Sequence, residues 1–351
     1  MPEKSGRRPK SKPRPTSKKI NLGLQGGGAH GAFTWGVLDR LFEDGRLEVE
    51  GIVGTSAGAM NAAAVASGLH RGGKEGARER LAAFWQATSK AAQSSPIQPS
   101  PLDRWLGSGN LDFSPSWHLF DNLSRMVSPY QANPWNYNPL RDILADICDI
   151  DALRSADAVK LFLCATNVRT GRIKVFQGAE LSIDAVLASA CLPFVYQAVE
   201  IDGEHYWDGG YMGNPPLFPL IYDTDCRDVL IIEINPINVP AVPKTAQEIF
   251  DRINTLSFNS SLMREMRAID FVTKLIDEGT LDPKVYKRLN VHAIDAEAEM
   301  ARLSVSSKLN ADEGFLRTLF DLGREQATTW LQKNVDKVGV ESSIDIEARF
   351  L

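Results

Sequence analysis

The sequence predicts an α/β fold: a mostly parallel central sheet with helices on both faces, followed by a mainly helical C-terminal extension. Three observations carry this reading. The chain opens with an apolar strand, a glycine loop, a helix, a second strand, a tight turn and a second helix, in that order. Later apolar runs are short, continuous and bounded by breakers, as in strands buried on both faces of a parallel sheet. Beyond Pro240 the pattern changes to capping signals and helical periodicity.

The first strand is expected at residues 20–24. The loop Gly26-Gly27-Gly28 follows, then a helix over about 29–43 with Ala32, Phe33, Val37, Leu38 and Leu41 on one side. Ile52-Val53 ends the second strand, and a helix of small residues starts at Ala57. Residues 159–165 and 229–234 read as further buried strands, and 289–294 can add one more. Thr170-Gly171 and Asp202-Gly203 each separate two strand-like runs and predict hairpins. Thr245-x-x-Glu248 and Asn310-x-x-Glu313 read as capping boxes before apolar-periodic segments.

Two stretches stand apart. Residues 1–19 hold eight Lys or Arg against Glu3 alone, although the whole chain carries a net charge of −5. This basic arm is expected to be disordered; its alternative is a tether to an anionic membrane or lipid surface. Residues 95–139 are rich in Pro, Ser and Asn, with aromatic residues at about twice the chain average of 8%. They predict an insertion or cap rather than a sheet element, either packing its own aromatics or forming a lipid-facing lid. The expected organisation is therefore an arm at 1–19, a catalytic domain at 20–240 carrying this insertion, and an extension at 241–351.

Composition narrows the setting. With 43% hydrophobic and 24% charged residues and no apolar run of membrane-spanning length, an integral membrane protein is not expected. The arm has no apolar core of the kind a secretory signal needs. Cys148, Cys164, Cys191 and Cys226 show no C-x-x-C spacing, so reduced, buried thiols and a cytoplasmic location are expected. No cofactor, metal or specific nucleic-acid partner is expected.

The chemistry concentrates in three places. Gly54-Thr55-Ser56-Ala57-Gly58 between strand and helix has the pattern of a nucleophile elbow, a strained turn that lifts the Ser56 hydroxyl above the strand ends. The loop Gly26-Gly27-Gly28-Ala29-His30-Gly31 formally satisfies a dinucleotide fingerprint. However, the strand that should end in a ribose-binding acid ends in Gly54-Thr55-Ser56. The same glycines can instead turn backbone N–H groups toward a developing oxyanion. A serine nucleophile also needs a base. None of the five histidines sits in a recognisable catalytic turn, whereas Asp208 follows the second hairpin in Trp207-Asp208-Gly209-Gly210.

Together these motifs resemble the patatin-like family of serine acyl hydrolases, over about residues 18–236. The resemblance implies a Ser56–Asp208 dyad without histidine, an oxyanion hole at Gly26, Gly27 and Gly28, and hydrolysis of acyl esters of lipids. The family usually carries Arg or Lys where this chain has His30. Near a helix N-terminus His30 is expected to be neutral and to make a structural hydrogen bond. Two alternatives remain at this point. Ser56, Asp208 and His292 occur in the order of an α/β-hydrolase triad. The arm and the aromatic insertion would also suit a non-catalytic protein that binds lipid surfaces.

Overall fold

Short apolar runs broken by glycine and polar turns fold into one eight-stranded sheet. The computed structural model describes residues 17–155 and 157–351, so residues 1–16 of the expected basic arm lie outside the described residues. The strands are β1 (Lys18–Leu24), β2 (Leu47–Thr55), β3 (Lys160–Asn167), β4 (Ile173–Gln177), β5 (Val199–Ile201), β6 (Glu204–Asp208), β7 (Asp228–Ile232) and β8 (Asn290–Ile294). Their order is β5-β6-β3-β2-β1-β7-β8, with β4 also paired to β3. Strands β3, β2, β1, β7 and β8 run parallel, and β4 and β6 join antiparallel to β3. Both predicted hairpins form, β3–β4 and β5–β6. Strand β1 starts two residues earlier than expected, because the Lys18 ammonium is tied to the carbonyls of Val335, Asp336 and Val338.

Alternate strand residues serve opposite faces, as the pleat requires. Leu22, Ile52, Leu230 and Ile232 face one core cluster, with α1 (Gly31–Asp44) and α2 (Ala57–Ala92) packed on it. Val53, Val229 and Ile231 face the other. Helix α2 runs past the small-residue segment and kinks at Gly72-Gly73.

Between α2 and β3 lie α3 (Pro101–Leu106), α4 (Pro115–Ser124), α5 (Pro129–Ala132), α6 (Pro139–Ile147) and α7 (Ile150–Arg154), and no described strand. The abundant Ser and Pro of this stretch are helix starts. Ser100, Ser114 and Ser128 are N-caps, each followed by Pro at the first helical position. The insertion packs only part of its own aromatics, with the Trp117 and Phe120 rings 6.1 Å apart. Trp117 is buried, but Trp105 is 80% and Trp135 89% exposed.

Helix α8 (Ile183–Ser189) precedes the β5–β6 hairpin, and α9 (Phe218–Tyr222) follows it. The C-terminal residues contain α10 (Ala246–Asp277), α11 (Glu297–Met300), α12 (Glu313–Asn334) and α13 (Ile346–Phe350). They join the main body: β8 extends the sheet beside β7, and α10 covers the second face through Leu262, Met266 and Ile269. Helix α12 lies along α1, where Trp35 and Phe320 rings meet at 4.2 Å and Arg324 pairs with Asp39. The Thr245–Glu248 capping box forms. The second one does not: Asp312 caps α12 instead, because Asn310 is buried with its amide donating to Gly109 O at 2.8 Å. Among the described residues, no helix is long and apolar enough to cross a membrane.

Candidate active site

Register brings Ser56 and Asp208 together. Residues 162–164 pair with β2 on one edge of β3 and β4 on the other, while 165–166 pair with β6 and β4. Strands β2 and β6 therefore share one edge of β3 and meet end to end. Thr55 pairs with Cys164, and Asp208 with the next residue, Ala165. Ser56 is the first residue beyond β2, so it emerges at Asp208.

The elbow is strained. Ser56 has φ 56° and ψ −125°, a region that non-glycine residues occupy at a cost of about 1–3 kcal/mol. Its N–H holds that conformation by donating to Ser189 O at 3.1 Å and Ser189 Oγ at 3.0 Å. The same loop fixes the aspartate, whose N–H donates to Cys191 O at 2.8 Å. Both backbones thus hang from the residues at and just after the end of α8.

Asp208 is fully buried. Its Oδ1 accepts from Gly210 N–H at 2.7 Å, but Oδ2 has no hydrogen-bond partner among the described residues. Burial pushes its pKa up to about 6, against the pull of the nearby Ser56 hydroxyl, the Gly210 N–H and the charge of Lys308. No closed hydrogen bond joins Ser56 Oγ to the carboxylate.

The glycine loop packs directly on the elbow. A Cβ on Gly26 would lie 2.5 Å from Ser56 Cβ, so only glycine allows this approach. Gly26 N–H donates to Asn214 Oδ1 at 2.6 Å, and its carbonyl accepts from Asn235 Nδ2 at 2.8 Å. Gln25 supports the same corner by accepting from the N–H groups of Ile234 and Asn235. Gly28 has φ +60°, and a Cβ there would collide with the carbonyl of Lys308. Neither Gly27 nor Gly28 donates its N–H to another described residue.

The histidines lie elsewhere or are spent. His30 is buried, with Nε2 2.7 Å from Ser307 Oγ, and burial and Lys308 lower its pKa to about 3. It is neutral, as the sequence predicts. His292 lies in mid-strand β8, three strands from β2, with Nε2 3.0 Å from Asp228 and its ring edge-on to Trp330. The Ser56–Asp208–His292 triad is not assembled: the His292 partner is a different aspartate. Among the described residues no cluster of His, Cys, Asp and Glu could hold a metal ion.

A family model for patatin-like phospholipases matches residues 22–221. The chain belongs to this family. No curated protein matches the patatin-like chain. Among solved structures it is similar to VipD from Legionella pneumophila, at 17% identity over 91% of this chain and 67% of that one, with a TM-score of 0.43. The family match ends before the segment that carries Ser307 and Lys308. Sequence reasoning missed these two, and also Ser189, Asn214 and Asn235. Ser189 and Asn214 lie within stretches that carried the resemblance, "ASACLP" and "DGGYMGNPP". Ser307 and Lys308 lie in "SSKLNADEGFLRTLFDLGREQATTWL", which resembles the C-terminal extension of some bacterial patatin-like proteins but implies no role, and Asn235 had no local signal.

Proposed function

We propose that this patatin-like protein is a serine hydrolase of carboxylic esters of lipids, with Ser56 as nucleophile and Asp208 as its base. The observation that carries this reading is the unpartnered Asp208 Oδ2, buried beside a strained serine. Ser56 Oγ attacks the ester carbonyl and passes its proton to that oxygen. Protonated Asp208 then gives the proton to the departing alkoxide, leaving an acyl-Ser56. Water reverses the exchange, with Asp208 again taking a proton, and the acid is released.

Of the three glycines, Gly26 has its N–H committed to Asn214, so the oxyanion is assigned to the N–H groups of Gly27 and Gly28. Asp208 suits the task. A base with pKa about 6 is ionised at neutral pH and more proton-hungry than an ordinary carboxylate.

A cavity of about 720 Å³ suits an acyl chain. Its lining includes Trp207, the residue before Asp208 in β6, with Tyr211, Phe194, Val168, Met126 and Val127. Met126, Phe194 and Tyr211 are exposed, as are Trp105, Trp135 and Tyr137 of the insertion. Exposed apolar side chains of this kind suit a substrate presented at a lipid surface. The noncatalytic lipid-binding alternative gives no reason for a strained serine facing an open carboxylate.

The test is Ser56→Ala combined with a fluorophosphonate probe. Wild type should label and hydrolyse p-nitrophenyl esters, and the variant should do neither while keeping its circular dichroism spectrum. Turnover by the folded variant at the wild-type rate would remove Ser56 from the mechanism.

A further inference from the structure

The C-terminal segment reaches into the glycine loop. The short helical turn Val305–Leu309 packs on the turn Gly28–His30, latched by the Ser307–His30 hydrogen bond and by the contact of Gly28 with the Lys308 backbone. The Lys308 side chain then runs inward. Its ammonium lies 5.2 Å above the Phe258 ring and donates to Asn235 Oδ1 at 3.2 Å and Asn254 Oδ1 at 3.4 Å. These acceptors are neutral amides, so no carboxylate in hydrogen-bond contact cancels the charge.

Asn235 passes that charge on. With its oxygen held by Lys308, its Nδ2 donates to Gly26 O. Gly26 O and Gly27 N–H belong to one peptide group. A hydrogen bond accepted at the carbonyl end draws electrons from the nitrogen and makes the N–H a stronger donor, as in any polarised hydrogen-bond chain. The chain runs from ammonium to amide to peptide, and ends at the N–H assigned to the oxyanion.

We propose that Lys308 is a positioning residue for acyl transfer, fixing the glycine loop and polarising the Gly26–Gly27 peptide through Asn235 so that the oxyanion is held more strongly. This rests on the dyad and glycine-loop reading above. Its charge is supplied by the C-terminal segment because the basic residue of the loop itself, His30, is neutral. Burial lowers the Lys308 pKa to about 8, while Asp251 of α10 and Asp208 of β6 pull it upward. Lys308 is therefore charged at neutral pH and becomes neutral in mildly alkaline solution. The other titratable groups facing Asp208 are Cys164, Cys191 and Tyr211, all raised by burial and silent below that range.

The experiment uses the full chain, with kcat and KM for p-nitrophenyl butyrate measured from about pH 5 to about pH 10. Wild type should lose rate below about 6 and above about 8. Lys308→Met should lower kcat about 10- to 100-fold with KM little changed, lose the alkaline limb and move the acid limb upward. Lys308→Arg should recover most of kcat and shift the alkaline limb beyond the measured range. A folded Lys308→Met with wild-type kcat, or with reduced kcat and an intact alkaline limb, would overturn the proposal. If Lys308→Met does not fold, Lys308→Arg decides, and an unmoved alkaline limb rejects it. Ser56→Ala in the same assay separates the two readings. Its inactivity beside a wild-type-like Lys308→Met sinks this proposal alone, whereas its activity sinks the dyad and this proposal with it.

Discussion

Asp208 ends β6 beside the carboxyl end of β2, and Asp228 opens β7 at the opposite end of the sheet. Both are buried. Asp228 Oδ1 accepts from Asn290 Nδ2 at 3.2 Å, Gly339 N–H at 2.8 Å and His292 Nε2 at 3.0 Å. Burial raises its pKa, but His292, the Gly339 N–H and Asn290 together outweigh burial and hold it below the ordinary value. Asp208 has one backbone donor and one empty oxygen, and burial wins. The contrast separates two uses of one residue type. A carboxylate that takes three donors on one oxygen ties neighbouring segments together and stays ionised, whereas one with a single backbone donor is costly to bury charged and ready to take a proton.

The largest effect should be on turnover. Asp208→Asn should lower kcat by about a thousandfold or more, since an amide of the same shape cannot accept the Ser56 proton. Asp228→Asn and His292→Ala, where folded, should keep most of it. Loss of turnover in folded His292→Ala comparable to that in Ser56→Ala would restore the triad and erase the contrast.

The acid limb sharpens the comparison. In the proposed mechanism Asp208 acts as the ionised base, so with its pKa raised to about 6 kcat/KM should fall about tenfold per pH unit below that value. A limb below about 4.5 would mean that burial does not raise the base, because ordinary carboxylates titrate there.

The smallest effects are on stability, and they have opposite signs. The folded pKa of Asp208 lies above its ordinary value of 3.8, so wild type loses stability as pH rises through the interval up to about 6. Above it, Asp208→Asn should be the more stable protein, by up to about 3 kcal/mol. The folded pKa of Asp228 is depressed, so its contribution is present above the unfolded value and vanishes as pH falls through the folded one. Asp228→Asn should therefore destabilise at neutral pH by roughly 1–3 kcal/mol, less in acid. Thermal unfolding of both variants at about pH 8 and about pH 4 reads the two signs. Equal shifts in one direction would show that the two aspartates do not differ as described.

What the sequence determined by itself was local. An elbow needs glycine on either side of one serine, a buried strand needs a short apolar run, and a hairpin needs Thr-Gly or Asp-Gly. Each of these is a backbone constraint satisfied within a few residues, so Ser56, the glycine loop, Asp208 and most strands were legible. The capping box at Asn310 failed for the complementary reason: its amide was claimed by Gly109, far away in the chain. Only the tertiary structure decided that β2 and β6 share an edge of β3, that His292 partners Asp228, and that Lys308 reaches the glycine loop. Contacts between distant residues leave no periodicity or turn chemistry behind. A lysine between a serine and a leucine reads the same in solvent or in a site until packing determines which amides, rings and charges surround its ammonium.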